Sequence, residues 1–165
     1  MTHPDSIELI NPQRPCSISG IRCAVFDFDG TLSLLRAGWF ELMHAQMVDA
    51  LAQTPNHESA EQIRAFVSNL IYSTSGQQTI YQMIRLAGEI ARRGGAPKTP
   101  VEYKQDFLDQ LLARVYERVV AINAGIVAPE AWLVPGAKSM LQALHARGVT
   151  CYIASGTDDA FVKSE

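Results

Sequence analysis

The chain has few cysteines, little net charge and no long apolar run, and each shortage excludes a class of protein. Its three cysteines, Cys16, Cys23 and Cys151, have neither a CxxC spacing nor a Cys/His ligand pattern. This pattern excludes a recognisable zinc motif and a disulfide framework. We therefore expect free, reduced and buried thiols, with Cys23 and Cys151 as neighbours if their strands are adjacent.

The net charge of −3 indicates no basic face of the kind that binds a nucleic-acid backbone. No apolar run approaches the ~18 residues of a transmembrane helix. Residues 1–20 are polar, contain prolines and lack the apolar centre of a signal peptide. We expect a loosely ordered N-terminal extension over residues 1–20 and a cytoplasmic protein without nucleic acid or membrane partners. Whether the protein forms an oligomer stays open.

The apolar residues predict a strand, a helical insertion, a helix and a second strand. The stretch 21–26 (IRCAVF) is short and rich in β-formers, so it predicts a buried strand. Between about residues 38 and 128 the apolar residues recur at helical spacing in four stripes, which predict the core of a helical bundle. A capping box at Thr99 predicts the start of one helix, and Arg92-Arg93-Gly94-Gly95 predicts the end of the helix before it.

After Pro135-Gly136 the pattern predicts a short amphipathic helix over 137–147 and a second buried strand over 149–154. These outer segments indicate an α/β fold with a parallel sheet, because a crossover helix joins its strands. We therefore assign residues 21–35 plus 136–165 to the core and residues 36–135 to a helical insertion.

Asp27 and Asp29 follow the first strand directly, and Ser155 follows the second. Side chains two apart in an extended segment point the same way, so both carboxylates face one spot at the edge where open α/β sheets bind ligands. Gly30 lets the backbone turn sharply there. A divalent cation between the carboxylates, or a proton on one of them, would relieve their repulsion. Either arrangement suits phosphoryl transfer, with the Ser155 hydroxyl and Gly156 binding the phosphate oxygens.

The segment FDFDGTL resembles motif I of the haloacid dehalogenase superfamily, and YIASGT resembles its motif II. The helical insertion looks like the type-1 cap of phosphoglycolate phosphatases and β-phosphoglucomutase relatives. The resemblance implies a Rossmann-like core and a Mg²⁺-dependent phosphatase acting on a small phosphorylated metabolite. By this resemblance Asp27 is the nucleophile that forms an aspartyl-phosphate, and Asp29 is the general acid/base. Both hold Mg²⁺, Asp29 through its backbone carbonyl, while Ser155, Gly156 and Gly30 surround the phosphoryl group.

The family also uses a Lys or Arg and one or two acids after motif II, and the sequence to Glu165 offers only Lys163, which lies too close to motif II. From this we expect the chain to be a fragment of a longer polypeptide. Two alternatives stay open: a phosphomutase of the same fold, and a catalytically incompetent binding module.

Two parts of the insertion are candidates for contacts with the substrate. These are Arg36, near the hinge after motif I, and the polar run 73–78 (STSGQQ), which could also be a plain linker between helices.

Overall fold

The computed structural model describes residues 20–155. Its strands are β1 (Cys23–Phe26) and β2 (Thr150–Ile153), and its α-helices are α1 (Trp39–Ala52), α2 (Ala60–Ser73), α3 (Thr79–Arg92), α4 (Pro100–Asn123) and α5 (Ala137–His145). A short 3₁₀ helix spans Pro129–Trp132. The predictions for the N-terminal extension, Cys16, Gly156 and Lys163 lie outside the described residues.

The predicted parallel pairing of the two outer strands is confirmed. β1 and β2 run parallel, with Cys23 aligned with Thr150 and Phe26 with Ile153. Helix α5 precedes β2 and packs against it, as a crossover helix does. The carboxyl ends of both strands therefore lie at the same edge of the sheet.

The prediction that these strands are buried is wrong for the part of the chain that the structure describes. Val25 is 65% exposed and Tyr152 is 56% exposed. The reason is that α5 is the helix in extensive contact with the sheet, whereas α1–α4 pack mainly on one another. Apolar sequence thus identified the strands but not their surroundings.

The predictions for the strand thiols are corrected in the same way. Cys23 and Cys151 are free, as expected, but both are exposed. They are also not cross-strand partners, because Cys151 aligns with Ala24, one position after Cys23. Successive side chains of a strand alternate between faces, so the two thiols lie on opposite faces of the sheet.

Helices α1–α4 form the predicted bundle and contain the hydrophobic core. α1 packs on α2 and α3 on α4, and α1 also contacts α3 and α4. Large side chains with almost no exposure fill the centre; these are Met43, Met47, Leu51, Ile63, Val67, Ile71, Met83 and Leu86. The four apolar stripes therefore predicted the bundle correctly.

The predicted helix ends are also confirmed. At the start of α4 the Thr99 amide donates to a Glu102 carboxylate oxygen at 2.7 Å, and the Glu102 amide donates to the Thr99 hydroxyl at 3.3 Å. Helix α3 ends at Arg92, before Gly94 with φ of 74°. One role was missed: Arg93 is buried and forms ion pairs with Glu58 and Glu89.

Two linkers join the sheet to the helical bundle, and they pair with each other. The Leu34 amide donates to the Trp132 carbonyl at 2.7 Å, and the Val134 amide donates to the Leu32 carbonyl at 3.0 Å. One of the paired segments connects β1 to α1, and the other connects the 3₁₀ helix to α5. This pairing fixes where the bundle begins and ends relative to the sheet.

Arg118 of α4 holds both linkers from the side of the bundle. Its guanidinium donates to the carbonyls of Leu35 and Ala37 and lies 4.4 Å from the centre of the Trp132 ring. Burial, followed by the positive charge of Arg114, lowers the pKa of Arg118 from its ordinary value. The guanidinium nevertheless stays charged, as arginine does in proteins.

Candidate active site

The segment after β1 folds into a tight turn that presents both aspartates. The Phe28 carbonyl accepts hydrogen bonds from the amides of Thr31, Leu32 and Ser33, and the Gly30 amide donates to the Ser33 carbonyl at 2.8 Å. Gly30 has φ of 77°, a conformation that strains any residue with a Cβ. The glycine is therefore needed for the turn itself.

Asp27 and Asp29 line one cavity but have different surroundings. Asp27 is exposed, and one of its carboxylate oxygens accepts a hydrogen bond from the Thr31 hydroxyl at 3.3 Å. Asp29 is half-buried, and its Oδ1 lies 3.5 Å from Nε of the buried Arg36. One carboxylate thus faces solvent while the other is neutralised by a cation.

The cavity extends from the aspartates into the bundle and has a volume of about 400 Å³. This volume suits a small metabolite. One wall is apolar and comes from α1 and α4; its residues are Trp39, Met43, Phe107, Leu108, Leu111 and Leu112. The polar part of the lining comes from the α2–α3 connection, the start of α3 and α4; its residues are Ser75, Gly76, Gln77, Gln78, Thr79, Gln82 and Lys104.

Both candidate substrate contacts from the helical segment lie at this cavity. Arg36 lines it beside Asp29, and residues 75–78 of the polar run line it from the bundle. The run is also a linker between α2 and α3, so its two interpretations are compatible. Gln82 holds it in place, since its amide donates to the buried Thr74 hydroxyl at 3.2 Å.

Ser155 lies at the same edge of the sheet as Asp27 but not on the cavity wall. The Ala154 amide donates to the Phe26 carbonyl at 2.8 Å, which extends the strand pairing to the residue before Ser155. Neither Ser155 nor Gly30 lines the cavity. The structure therefore brings Asp27 and Asp29 into one cavity and leaves Ser155 beside it.

The donors at Asp27 and Asp29 fit Mg²⁺, which prefers oxygen ligands and is commonly bound by one or two carboxylates, waters and substrate phosphates. Within residues 20–155, no group of three or more His, Cys, Asp or Glu side chains is arranged to hold a metal ion. The described residues thus supply two carboxylates for such a site, and the remaining ligands would be water and phosphate oxygens.

Sequence reasoning missed three contributors to the site. Thr31 was not assigned a role, although its place four residues after Asp27 in a turn offered a hint. Trp39 was interpreted as part of the bundle core, and Lys104 was assigned no role. Helical spacing indicates which residues share a face, but it does not distinguish a face against the core from one lining a cavity.

Comparison with known proteins gives the family. The model of the haloacid dehalogenase-like hydrolases matches residues 21–165. The chain belongs to this family. The match begins just before β1 and includes the segments of both predicted motifs. No curated protein and no solved structure matches the chain. Among residues 20–155, none of the helices has the length and apolar character needed to cross a bilayer.

Proposed function

We propose that this hydrolase is a Mg²⁺-dependent phosphatase that cleaves a small phosphate monoester through an aspartyl-phosphate on Asp27. The observation that carries the proposal is the placement of Asp27 and Asp29 in one cavity, one exposed and one beside a guanidinium. Membership of a hydrolase family supports it. The substrate class is a phosphoglycolate-like or sugar-phosphate-like ester, because the cavity has room for a small metabolite.

In the first step, a carboxylate oxygen of Asp27 attacks phosphorus and the bond from phosphorus to the ester oxygen breaks. Asp29 gives its proton to the departing oxygen, so an alcohol leaves. In the second step, Asp29 takes a proton from water as that water attacks phosphorus. The bond from phosphorus to Asp27 breaks, and inorganic phosphate and the free Asp27 carboxylate result. Mg²⁺ held by Asp27 and Asp29 would neutralise part of the phosphate charge.

The surroundings of the aspartates suit these roles. The Thr31 hydroxyl donates a hydrogen bond to one carboxylate oxygen of Asp27, and Asp27 lines the cavity. Arg36 favours the ionised form of Asp29, which is the form that accepts a proton from water. The charges of Asp27 and of a bound phosphate act in the opposite direction and favour the protonated form needed for the first step.

We propose further that residues 36–135 form a type-1 helical cap on a Rossmann-like core, as in phosphoglycolate phosphatases and β-phosphoglucomutase relatives. On this proposal the core comprises residues 21–35 and 136–165. Two features support it: the paired linkers at residues 32–34 and 132–134, and a cavity lined by both the aspartate loop and the bundle. Ser155 and Gly156 then belong to the phosphate site of the core.

One observation favours a second candidate, a module that binds phosphate esters without cleaving them. In the described part of the chain, Asp27 and Asp29 gain no third acidic or histidine ligand. Such a module would still use the cavity but would show no turnover.

The test is the hydrolysis of p-nitrophenyl phosphate with Mg²⁺ and with excess chelator. We expect Mg²⁺-dependent turnover that falls to background in Asp27→Asn, because an amide is a poor nucleophile. Wild-type turnover unaffected by chelator would contradict the Mg²⁺ proposal, and binding of phosphate esters without any turnover would establish the second candidate. A panel of phosphate monoesters then ranks the substrates.

A further inference from the structure

Lys104 places a positive charge on the cavity wall away from the aspartate loop. It lies on α4, on the same helix face as Phe107, Leu108 and Leu111, which line the apolar wall. Its side chain is half-buried. Among residues 20–155, the ionisable residues of the cavity are Asp27 and Asp29 from the sheet side, with Arg36 beside Asp29, and Lys104 from the bundle.

Within residues 20–155, Lys104 has no carboxylate partner, unlike two other lysines. Lys98 pairs with Asp106 at 2.7 Å, and Lys138 pairs with Glu130 at 2.6 Å. Both of those pairs are solvent-exposed. A lysine that lines a cavity and has no carboxylate partner among the described residues is available for an anionic group of a ligand.

We propose that Lys104 is a specificity-determining residue that binds a second anionic group of the phosphate ester. The inference rests on the proposed function: the phosphate sits at Asp27 and Asp29, and the second anion sits at Lys104. The carbon body between them packs on the apolar wall of Phe107 and Leu111. The substrate class is therefore a small phosphate ester that carries a carboxylate or a second phosphate.

A competing role for Lys104 is to compensate the charge of the aspartates. In that case its loss would affect every phosphate ester equally, whereas a contact with a second anion affects only esters that have one. The two roles are therefore separated by a matched pair of esters.

The experiment compares phosphoglycerate, which carries a carboxylate, with glycerol phosphate, which has a hydroxymethyl group in its place. A bisphosphorylated sugar is the third ester and carries a second phosphate. For Lys104→Met, we expect kcat/KM for the preferred ester with a second anionic group to fall roughly tenfold to a hundredfold. The reason is that a charge-assisted hydrogen bond to that group is lost. The change for glycerol phosphate should stay within about twofold. Whichever of the first and third esters responds identifies the second anion as carboxylate or phosphate.

Two control variants accompany it. Lys104→Arg keeps the charge and should retain most of the preference for the ester with a second anionic group. Lys98→Met removes an exposed lysine outside this cavity and should leave kcat/KM unchanged for all three esters. Equal losses for all esters in Lys104→Met, or no loss for any of them, would overturn the proposal.

Calorimetric binding of the same esters to Asp27→Asn separates this inference from the proposed function. Binding that weakens selectively on adding Lys104→Met supports the role of Lys104 even if the protein shows no turnover. Binding that is indifferent to Lys104 overturns it even if the phosphatase activity is confirmed.

Discussion

Asp27 and Asp29 differ in their surroundings although only one residue separates them. The exposed Asp27 accepts a hydrogen bond from Thr31, and the half-buried Asp29 lies beside Arg36. The spacing of the two aspartates predicted that their side chains face one spot, and both line one cavity. The difference in their partners was not predictable, because it depends on how the chain returns from the turn to the first linker.

At the scale of the residue, the proposed general acid/base role of Asp29 predicts two separable effects of Asp29→Asn. A nitrophenolate leaves without a proton, so the first release of nitrophenol should survive. Steady-state turnover should fall by about 10²–10⁴-fold, because no base then activates water. Stopped-flow absorbance at the nitrophenolate band measures both phases. Loss of the first release along with the steady state would contradict this assignment.

Gly30 supports a prediction about stability. Gly30→Ala should lower the free energy of unfolding by about 1–2 kcal/mol, because alanine at φ of 77° is strained. The added Cβ meets no atom within 4 Å, so the cost comes from the backbone alone. Urea denaturation measures it.

Gly88 provides the matched control. It lies in α3 and an added Cβ there also meets no atom within 4 Å, but its φ is not positive. Gly88→Ala should stabilise the protein by roughly 0.5–1 kcal/mol, since alanine favours a helix. Equal changes in the free energy of unfolding for the two variants would contradict the assignment of the cost at Gly30 to its positive φ.

At the scale of the elements, the sequence predicted the helices better than the environment of the strands. Apolar stripes, a capping box at Thr99 and a glycine stop after Arg93 located α1–α4, because helical spacing and helix-end signals are local properties. The strands were also located, but their predicted burial was wrong for Val25 and Tyr152. Burial of a strand depends on which distant segments cover it, and an apolar run of four to six residues does not specify that.

The cavity wall shows the same limit for helices. Phe107 and Leu111 count among the core residues and also line the cavity beside the site. Their spacing fits both roles, so the sequence predicted only the first. The role of Arg118 was likewise not predictable from the sequence. Its partners are the backbone carbonyls of Leu35 and Ala37, which are distant in the chain, and the ring of Trp132.

Arg118 carries the prediction at this scale. Arg118→Met should lower the free energy of unfolding by about 2 kcal/mol, because two hydrogen bonds to linker carbonyls and a cation–π contact are lost. Urea denaturation again provides the measurement. Arg114→Met, one turn earlier on α4, is the control and should change stability by less than about 0.5 kcal/mol. Equal effects of the two variants would argue against a linker role for Arg118.

At the scale of the whole molecule, ion pairs tie distant parts of the bundle together. Arg93 at the end of α3 bonds to Glu58, which precedes α2, and to Glu89 one turn earlier in α3. Hydrogen bonding to Arg93 lowers the pKa of Glu58 from its ordinary value near 4.5. Burial acts to raise the pKa of Glu89, but hydrogen bonds from Arg92 and Arg93 outweigh it and the pKa is lowered.

These directions predict how stability depends on pH. A carboxyl whose pKa is lower in the folded state contributes stability above its unfolded pKa and loses it as pH falls through the folded pKa. The free energy of unfolding should therefore decline as pH falls below about 4.5. Arg93→Met should flatten this decline. Denaturation over a pH series measures it, and an unchanged slope in the variant would count against the network.

In the proposed mechanism, Asp27 is the residue that carries the phosphoryl group. The most direct measurement is peptide mass spectrometry after rapid quenching of turnover and borohydride reduction, which converts an aspartyl-phosphate to homoserine. The proposed mechanism predicts homoserine at position 27, dependent on substrate and Mg²⁺ and enriched in Asp29→Asn. Turnover with an unmodified Asp27, or reduction at another carboxyl group, would contradict it.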